Sequence, residues 1–240
     1  MAFSVEIGGF EAVSLIDYPG MISSIVFFAG CNMRCPFCHN PNLVLRDREH
    51  LKMMAPSEAL ERLSEMSGFI DGVTITGGEP LIQPGIEDFI DHAKSIGLKV
   101  KLDTNGLSPD QLQRVIASKM VDYIAMDIKA PLEGCRYEKA AGIPIHSLIT
   151  RIRRSIDLIK NSGISHEFRT TVVPGIISPD ELPAVAEEIK GADAYYLQQF
   201  RNKVTFDQKL HSVPPFSAAE LESACFKIKG MKLVKHCAVR

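Results

Sequence analysis

A chain of 240 residues, 45% hydrophobic and 23% charged, with a formal net charge of -2, has the composition of a globular protein with one sizeable core or two small ones. So small a charge offers no basic footprint for nucleic acid, and the longest apolar runs, such as 25–29, fall far short of the roughly 20 residues that span a bilayer. The opening MAFSVEIGGFEA carries Glu6 and Glu11 where an export signal needs a basic and then a long apolar stretch, so the expected compartment is the cytoplasm, with neither nucleic acid nor membrane as partner.

In chain order, apolar β-rich segments predict strands over 22–29, 72–76, 99–103, 123–129, 167–173 and 194–200. Helical periodicity fills the gaps. Ile86, Phe89, Ile90 and Ala93 share a face before Gly97, and Leu148, Ile152, Ile156 and Ile159 share one before Gly163. Two further helices open on Ser108-Pro109-Asp110 and Ser178-Pro179-Asp180, each with a capping serine, a proline at the first helical position and an acid in the first turn. A last helix is predicted from Ser217, with Glu220 completing a capping box and Gly230 ending it.

Strand followed by helix, six times, predicts an α/β fold with a parallel sheet and right-handed crossovers. A closed barrel of this kind takes eight units, so six in 240 residues predict a partial, laterally open parallel (β/α)6 barrel, one domain over 1–240. In such folds the loops after the strands share a face, where chemistry gathers. Those loops hold Cys31, Cys35 and Cys38 after the first strand and Thr76-Gly77-Gly78-Glu79-Pro80 after the second. The third ends in Asp103-Thr104-Asn105-Gly106, the fourth in Asp127-Ile128-Lys129, the fifth carries Arg169, and the sixth ends in Gln198-Gln199-Phe200-Arg201.

GCNMRCPFCHN crowds three of the six cysteines into eight residues, which argues for a metal and against disulfides. Four thiolates saturate a four-iron cluster and four N/S ligands close a structural zinc site, so three leave a metal with an open position. Zinc with His39 as fourth ligand is one alternative, although His39 follows Cys38 directly and is badly spaced to close a tetrahedron. A ferredoxin-like electron carrier that borrows Cys135 or another distant cysteine is another. Cys135, Cys225 and Cys237 read otherwise as isolated thiols, with Cys225 on the apolar face of the last helix beside Leu221 and Ile228. His92, His146, His166 and His211 read as surface or packing residues.

Cys-x-x-x-Cys-x-aromatic-Cys after the first strand, with Gly77-Gly78-Glu79 after the second, resembles the signature of radical S-adenosylmethionine (SAM) enzymes. The resemblance implies a [4Fe-4S] cluster on Cys31, Cys35 and Cys38, whose open iron is chelated by the amino and carboxylate groups of SAM. It implies that Phe37 shields the cluster, that Gly77 and Gly78 let the backbone approach SAM, and that Glu79 takes its ammonium. Asp103, Thr104 and Asp127 would form a monovalent-cation site, Lys129 would reach SAM or the substrate cavity, and Arg169 would be a further SAM contact. TGGEP, LDTNG, MDIK, VVPG and YYLQQF extend the likeness to glycyl-radical-enzyme activating proteins, in particular the longer type that serves anaerobic ribonucleoside-triphosphate reductase. The implied partners are that glycyl radical enzyme and an electron donor such as a flavodoxin or ferredoxin. Two other readings remain within the family: a pyruvate formate-lyase activator and a small-molecule enzyme of the 7-carboxy-7-deazaguanine synthase kind. Departures from the pyruvate formate-lyase activator are Asp17-Tyr18-Pro19-Gly20, expected near the barrel mouth, and Arg201, where that activator has a histidine.

Overall fold

Alternation of β-branched strands with glycine-terminated amphipathic helices produces a mostly parallel α/β sheet in the computed structural model, which describes residues 4–144 and 147–240; His146 lies outside them. Among the described residues the sheet has eight strands where the sequence predicts six. They are β1 (Ile7–Ser14), β2 (Ser23–Phe28), β3 (Gly72–Gly77), β4 (Lys99–Thr104), β5 (Tyr123–Asp127), β6 (Ser165–Val172), β7 (Ala194–Gln199) and β8 (His236–Val239), hydrogen-bonded in chain order. The extra strands flank the predicted six. β1 is antiparallel to β2 and contains Gly8-Gly9, which weakens any strand signal. β8 has only four residues, too few for a period to declare itself. None of the described helices is long and apolar enough to cross a membrane.

The described residues form two compact units. The first comprises Met1–Asn32, Asn42–Thr104 and Asp110–Ile124. In it β2, β3 and β4 pair in parallel, and helices α1 (Pro41–Leu45), α2 (Pro56–Met66) and α3 (Ile86–Ser95) follow their strands. α3 buries the predicted face of Ile86, Phe89, Ile90 and Ala93, and Phe89 meets Phe28 edge-on with ring centroids 5.3 Å apart. The next helix, α4 (Pro109–Ala117), starts at the predicted proline.

The second unit comprises Met33–Pro41, Asn105–Pro109 and Ala125–Arg240. Here β6, β7 and β8 pair in parallel, and the helices are α5 (Gly134–Ala141), α6 (Leu148–Lys160), α7 (Leu182–Glu188) and α8 (Ala218–Met231). Ile152, Ile156 and Ile159 of α6 are buried as their spacing predicts. The Ser178–Glu181 capping box opens a short 3-10 turn that leads into α7. α8 opens on the predicted Ser217–Glu220 box but runs past Gly230, because Lys232 adopts the left-handed conformation and terminates it instead.

Direction along the strands corrects one expectation. Asp17-Tyr18-Pro19-Gly20 lies in the β1–β2 turn, at the N-terminal end of β2, whereas Cys31 follows its C-terminal end; six strand residues, about 20 Å, separate the two. The segment is an anchored turn, with Asp17 accepting from Ser14 Oγ at 2.5 Å and the buried Tyr18 ring 5.9 Å from Tyr123.

The cysteine loop is held by a glycine that only its backbone explains. Gly142 ends α5 at φ 69°, Arg34 N donates to Ala141 O at 2.8 Å, and a Cβ on Gly142 would overlap the Arg34 carbonyl. Gly142→Ala should therefore destabilise the protein by about 2 kcal/mol or more in urea unfolding, since it adds left-handed strain to a backbone clash. An effect below about 0.5 kcal/mol would mean that the segment before Cys35 adjusts freely.

Candidate functional site

In the first unit, the predicted residues cluster at the C-terminal ends of β2, β3 and β4. Gly78 N donates to Phe28 O at 2.8 Å and Glu79 N to Gly30 O at 2.9 Å, so the turn after β3 is bonded to the base of the cysteine loop one residue before Cys31. This approach demands glycine. A Cβ on Gly78 would overlap Gly30 O, one on Gly77, at φ 121°, would collide with Phe28 backbone, and Gly30 itself sits at φ 92°. Glu79 is fully buried; its Oε1 accepts from Thr104 Oγ1 at 2.8 Å and from Leu81 N at 3.1 Å, capping the 3-10 turn Pro80–Ile82. Gln83 ties the same corner to Ala29 O at 2.6 Å and receives Glu6 N at 3.0 Å. Asp103 accepts from Thr76 Oγ1 at 3.2 Å and from Lys101 Nζ at 2.5 Å.

In the second unit, Cys35 and Cys38 sit on a tight turn closed by Cys38 N donating to Cys35 O at 3.0 Å, with the Phe37 ring buried between them in sequence. His39 donates through Nδ1 to Val204 O at 3.0 Å, and Asp207 N donates to Pro36 O at 2.8 Å, so the segment after β7 straps this turn. Lys129 Nζ stands 5.8 Å from the centre of the Phe37 ring and 2.9 Å from Asp127 Oδ2, while Arg169 Nε donates to Asp127 Oδ1 at 2.8 Å. Tyr137, fully buried, accepts Lys129 N through its hydroxyl at 3.3 Å.

The charges follow from these contacts. Burial alone would raise the Asp127 carboxyl, but Arg169 and Lys129 override it and hold the group well below the usual carboxylate range. Lys129 is raised: burial lowers it, and Asp127 and then Cys35 more than reverse that. Burial pushes the metal-free Cys35 thiol up to about 11 against the pull of Lys129, and burial also raises Cys38. Both are therefore neutral thiols near pH 7 until a metal displaces their protons.

Three thiols in the spacing Cys-x-x-x-Cys-x-x-Cys suit an iron-sulfur cluster with one open iron. His39 spends Nδ1 on Val204 O and lies against the Phe200 ring with centroids 6.3 Å apart, so Nε2 is the nitrogen it could offer a metal. Cys135 is exposed, and Cys225 and Cys237 are buried with their sulfurs 3.2 Å apart. At the residues expected to form a monovalent-cation site, Asp103 holds the Lys101 ammonium and the two oxygens of Asp127 are held by Arg169 and Lys129, so a cation of the chain stands beside each carboxylate. Sequence reasoning missed Lys101, Gln83 and Tyr137. Only Lys101 left a signal, a charged residue between Val100 and Leu102 in a buried strand.

The profile of the radical SAM superfamily matches residues 25–192. The chain belongs to the radical SAM superfamily. Members of this family use a [4Fe-4S] cluster and SAM, and this radical SAM protein is an enzyme. It is 34% identical over 217 residues, 87% of this chain and 85% of the relative, to a protein of Methanocaldococcus jannaschii provisionally named a glycyl-radical enzyme activating enzyme. It is 26% identical over 228 residues to the pyruvate formate-lyase-activating enzyme of Clostridium pasteurianum, covering 87% of this chain and 90% of that one. Among solved structures, SuiB of Streptococcus suis bound to SAM superposes with a TM-score of 0.67 at 15% identity over 88% of this chain; the chain spans 48% of SuiB's length, and the likeness is one of fold.

The capping bond of Glu79 in this radical SAM enzyme can be tested apart from the SAM contact expected of it. Glu79→Gln keeps an oxygen for Leu81 N and Thr104, and should leave thermal unfolding nearly unchanged while weakening SAM binding by about tenfold or more through the lost charge. Glu79→Leu removes the cap as well and should cost about 1–3 kcal/mol of stability. Equal SAM binding by wild type and Glu79→Gln in a dialysis assay would leave this carboxylate a structural role only.

Proposed function

We propose that this radical SAM enzyme is a glycyl-radical-enzyme activase, with the whole chain, 1–240, acting as one catalytic domain. The observation that carries the reading is the pairing of a three-cysteine loop with a Gly77-Gly78-Glu79 turn bonded directly to its base, in a chain whose curated relatives over most of its length carry activating-enzyme names. Cys31, Cys35 and Cys38 would hold a [4Fe-4S] cluster and Phe37 would keep water from it. Gly77, Gly78 and Glu79 would receive the amino end of SAM, with Asp103, Thr104, Asp127, Lys129 and Arg169 fixing its remaining polar groups. When bound and reduced, the cluster supplies one electron to the SAM sulfonium, and the C5'–S bond breaks to give methionine and a 5'-deoxyadenosyl radical.

Glycine is a fitting target for that radical, because a loop without a side chain at its tip can enter a narrow slot and because its Cα hydrogen is unshielded. The finer reading names anaerobic ribonucleoside-triphosphate reductase as the partner and a flavodoxin or ferredoxin as the electron source, supported by the longer-type sequence blocks TGGEP, LDTNG and MDIK. Mixing the reduced enzyme, SAM and that reductase without oxygen should give a glycyl-radical doublet in electron paramagnetic resonance together with 5'-deoxyadenosine. Alanine at Cys31, Cys35 or Cys38 should abolish both. A doublet on pyruvate formate-lyase alone would transfer the assignment to that partner, and consumption of a small metabolite with no doublet would replace the activase by a small-molecule enzyme.

The buried thiols add a pH prediction. Since Cys35 and Cys38 are raised by burial in the metal-free protein, each ligating sulfur must release a proton when metal binds, so affinity rises with pH up to the thiol pKa. Binding of Co2+ as a spectroscopic probe should strengthen by about tenfold per pH unit for each proton displaced between pH 6.5 and 8.5. An affinity flat across that range would mean that the thiols are already ionised.

A further inference from the structure

Lys101 is 1% exposed in a strand whose neighbours Val100 and Leu102 are fully buried. Residues two apart on a strand share a face, so Lys101 and Asp103 point the same way, and the ammonium lies 2.5 Å from Asp103 Oδ1. Thr76 Oγ1 donates to the other oxygen at 3.2 Å, which fixes the plane of the carboxylate. A buried ion pair is a poor way to stabilise a strand. Desolvating two charges offsets most of their attraction, and an apolar side chain of similar size would serve β4 as well. The lysine must therefore be explained by its effect on Asp103. A carboxylate in so enclosed a place needs positive charge beside it, either a cation taken from solution or one built into the chain. In the second unit Asp127 is neutralised from within by Arg169 and Lys129, so this protein meets the need twice in the same manner.

We propose that Lys101 is a positioning residue, the built-in counter-ion of Asp103, which supplies within the fold the charge that a bound monovalent cation would otherwise bring. The proposal rests on the reading of Asp103 as part of the SAM site. Its consequence is that SAM binding ignores which monovalent cation is in solution, and that a neutral side chain at position 101 creates a cation requirement the natural protein lacks.

The test uses the full chain, with and without its reconstituted cluster, in KCl, NaCl and tetramethylammonium chloride at equal ionic strength. Wild type should bind SAM equally in all three, within about twofold. Lys101→Met should bind about tenfold or more weakly in tetramethylammonium and recover with K+ or methylammonium, while Lys101→Arg should behave as wild type. In the cluster-free protein, K+ should raise the unfolding midpoint of Lys101→Met above its value in tetramethylammonium and leave wild type unmoved. If Lys101→Met does not fold, wild type decides: indifference to the cation supports the proposal, and tighter SAM binding in K+ or Na+ by about tenfold overturns it. A folded Lys101→Met that binds SAM like wild type, or whose loss no small cation restores, also overturns it. Should wild type not bind SAM at all, the functional reading fails, while the unfolding midpoints still decide what Lys101 does for Asp103.

Discussion

The turn after β3 lies backbone to backbone against the start of the cysteine loop, and the first unit's share of the site depends on that contact. Gly78 and Glu79 donate to Phe28 O and Gly30 O, at distances that leave no room for a Cβ on Gly78. Three consequences follow. Cys31 leaves β2 in a direction set by β3. Glu79 is carried into a buried corner where Thr104 and Leu81 fix its carboxylate. The glycines leave backbone uncovered at the point where a ligand with its own polar groups could approach.

The second unit solves a different problem, that of holding charge in a half-buried place. Asp127 is clasped by Arg169 and Lys129, and Lys129 in turn faces the Phe37 ring and donates its amide N–H to the Tyr137 hydroxyl. With both carboxylate oxygens paired, the group stays ionised and fixed in place, which suits a site whose reaction must exclude solvent. The strap through Val204 and Asp207 holds the Cys35–Cys38 turn by backbone groups, so its shape does not depend on which side chains the strap carries.

Much of this was legible in the sequence because it is written in residue types with few other uses. Three cysteines in eight residues, a Gly-Gly-Glu turn, and Ser-Pro-Asp helix starts each announce a local geometry, and the six inner strands follow from their apolar runs. What stayed hidden is what periodicity cannot carry. β1 is diluted by Gly8-Gly9, β8 is four residues long, and the end of α8 turns on the left-handed conformation of Lys232, a residue type that seldom adopts it. The position of Asp17–Gly20 depends on strand direction, which a string of residues does not state. Pairings between distant side chains were equally silent: nothing in the spelling of MDIK says that Asp127 spends both oxygens on Arg169 and Lys129. Lys101 is the intermediate case, visible as an anomaly in KVKLD and explained only by its contact with Asp103.

The central claim is that the radical generated at this cysteine loop removes hydrogen from a glycine of a protein partner. Following deuterium tests it most directly. The proposed partner reductase would be made with glycine deuterated at Cα, activated with unlabelled SAM, and the 5'-deoxyadenosine analysed by mass spectrometry. The account predicts one deuterium in each 5'-deoxyadenosine formed, in step with the rise of the glycyl radical. Unlabelled 5'-deoxyadenosine, formed at the same rate with or without the partner, would contradict it.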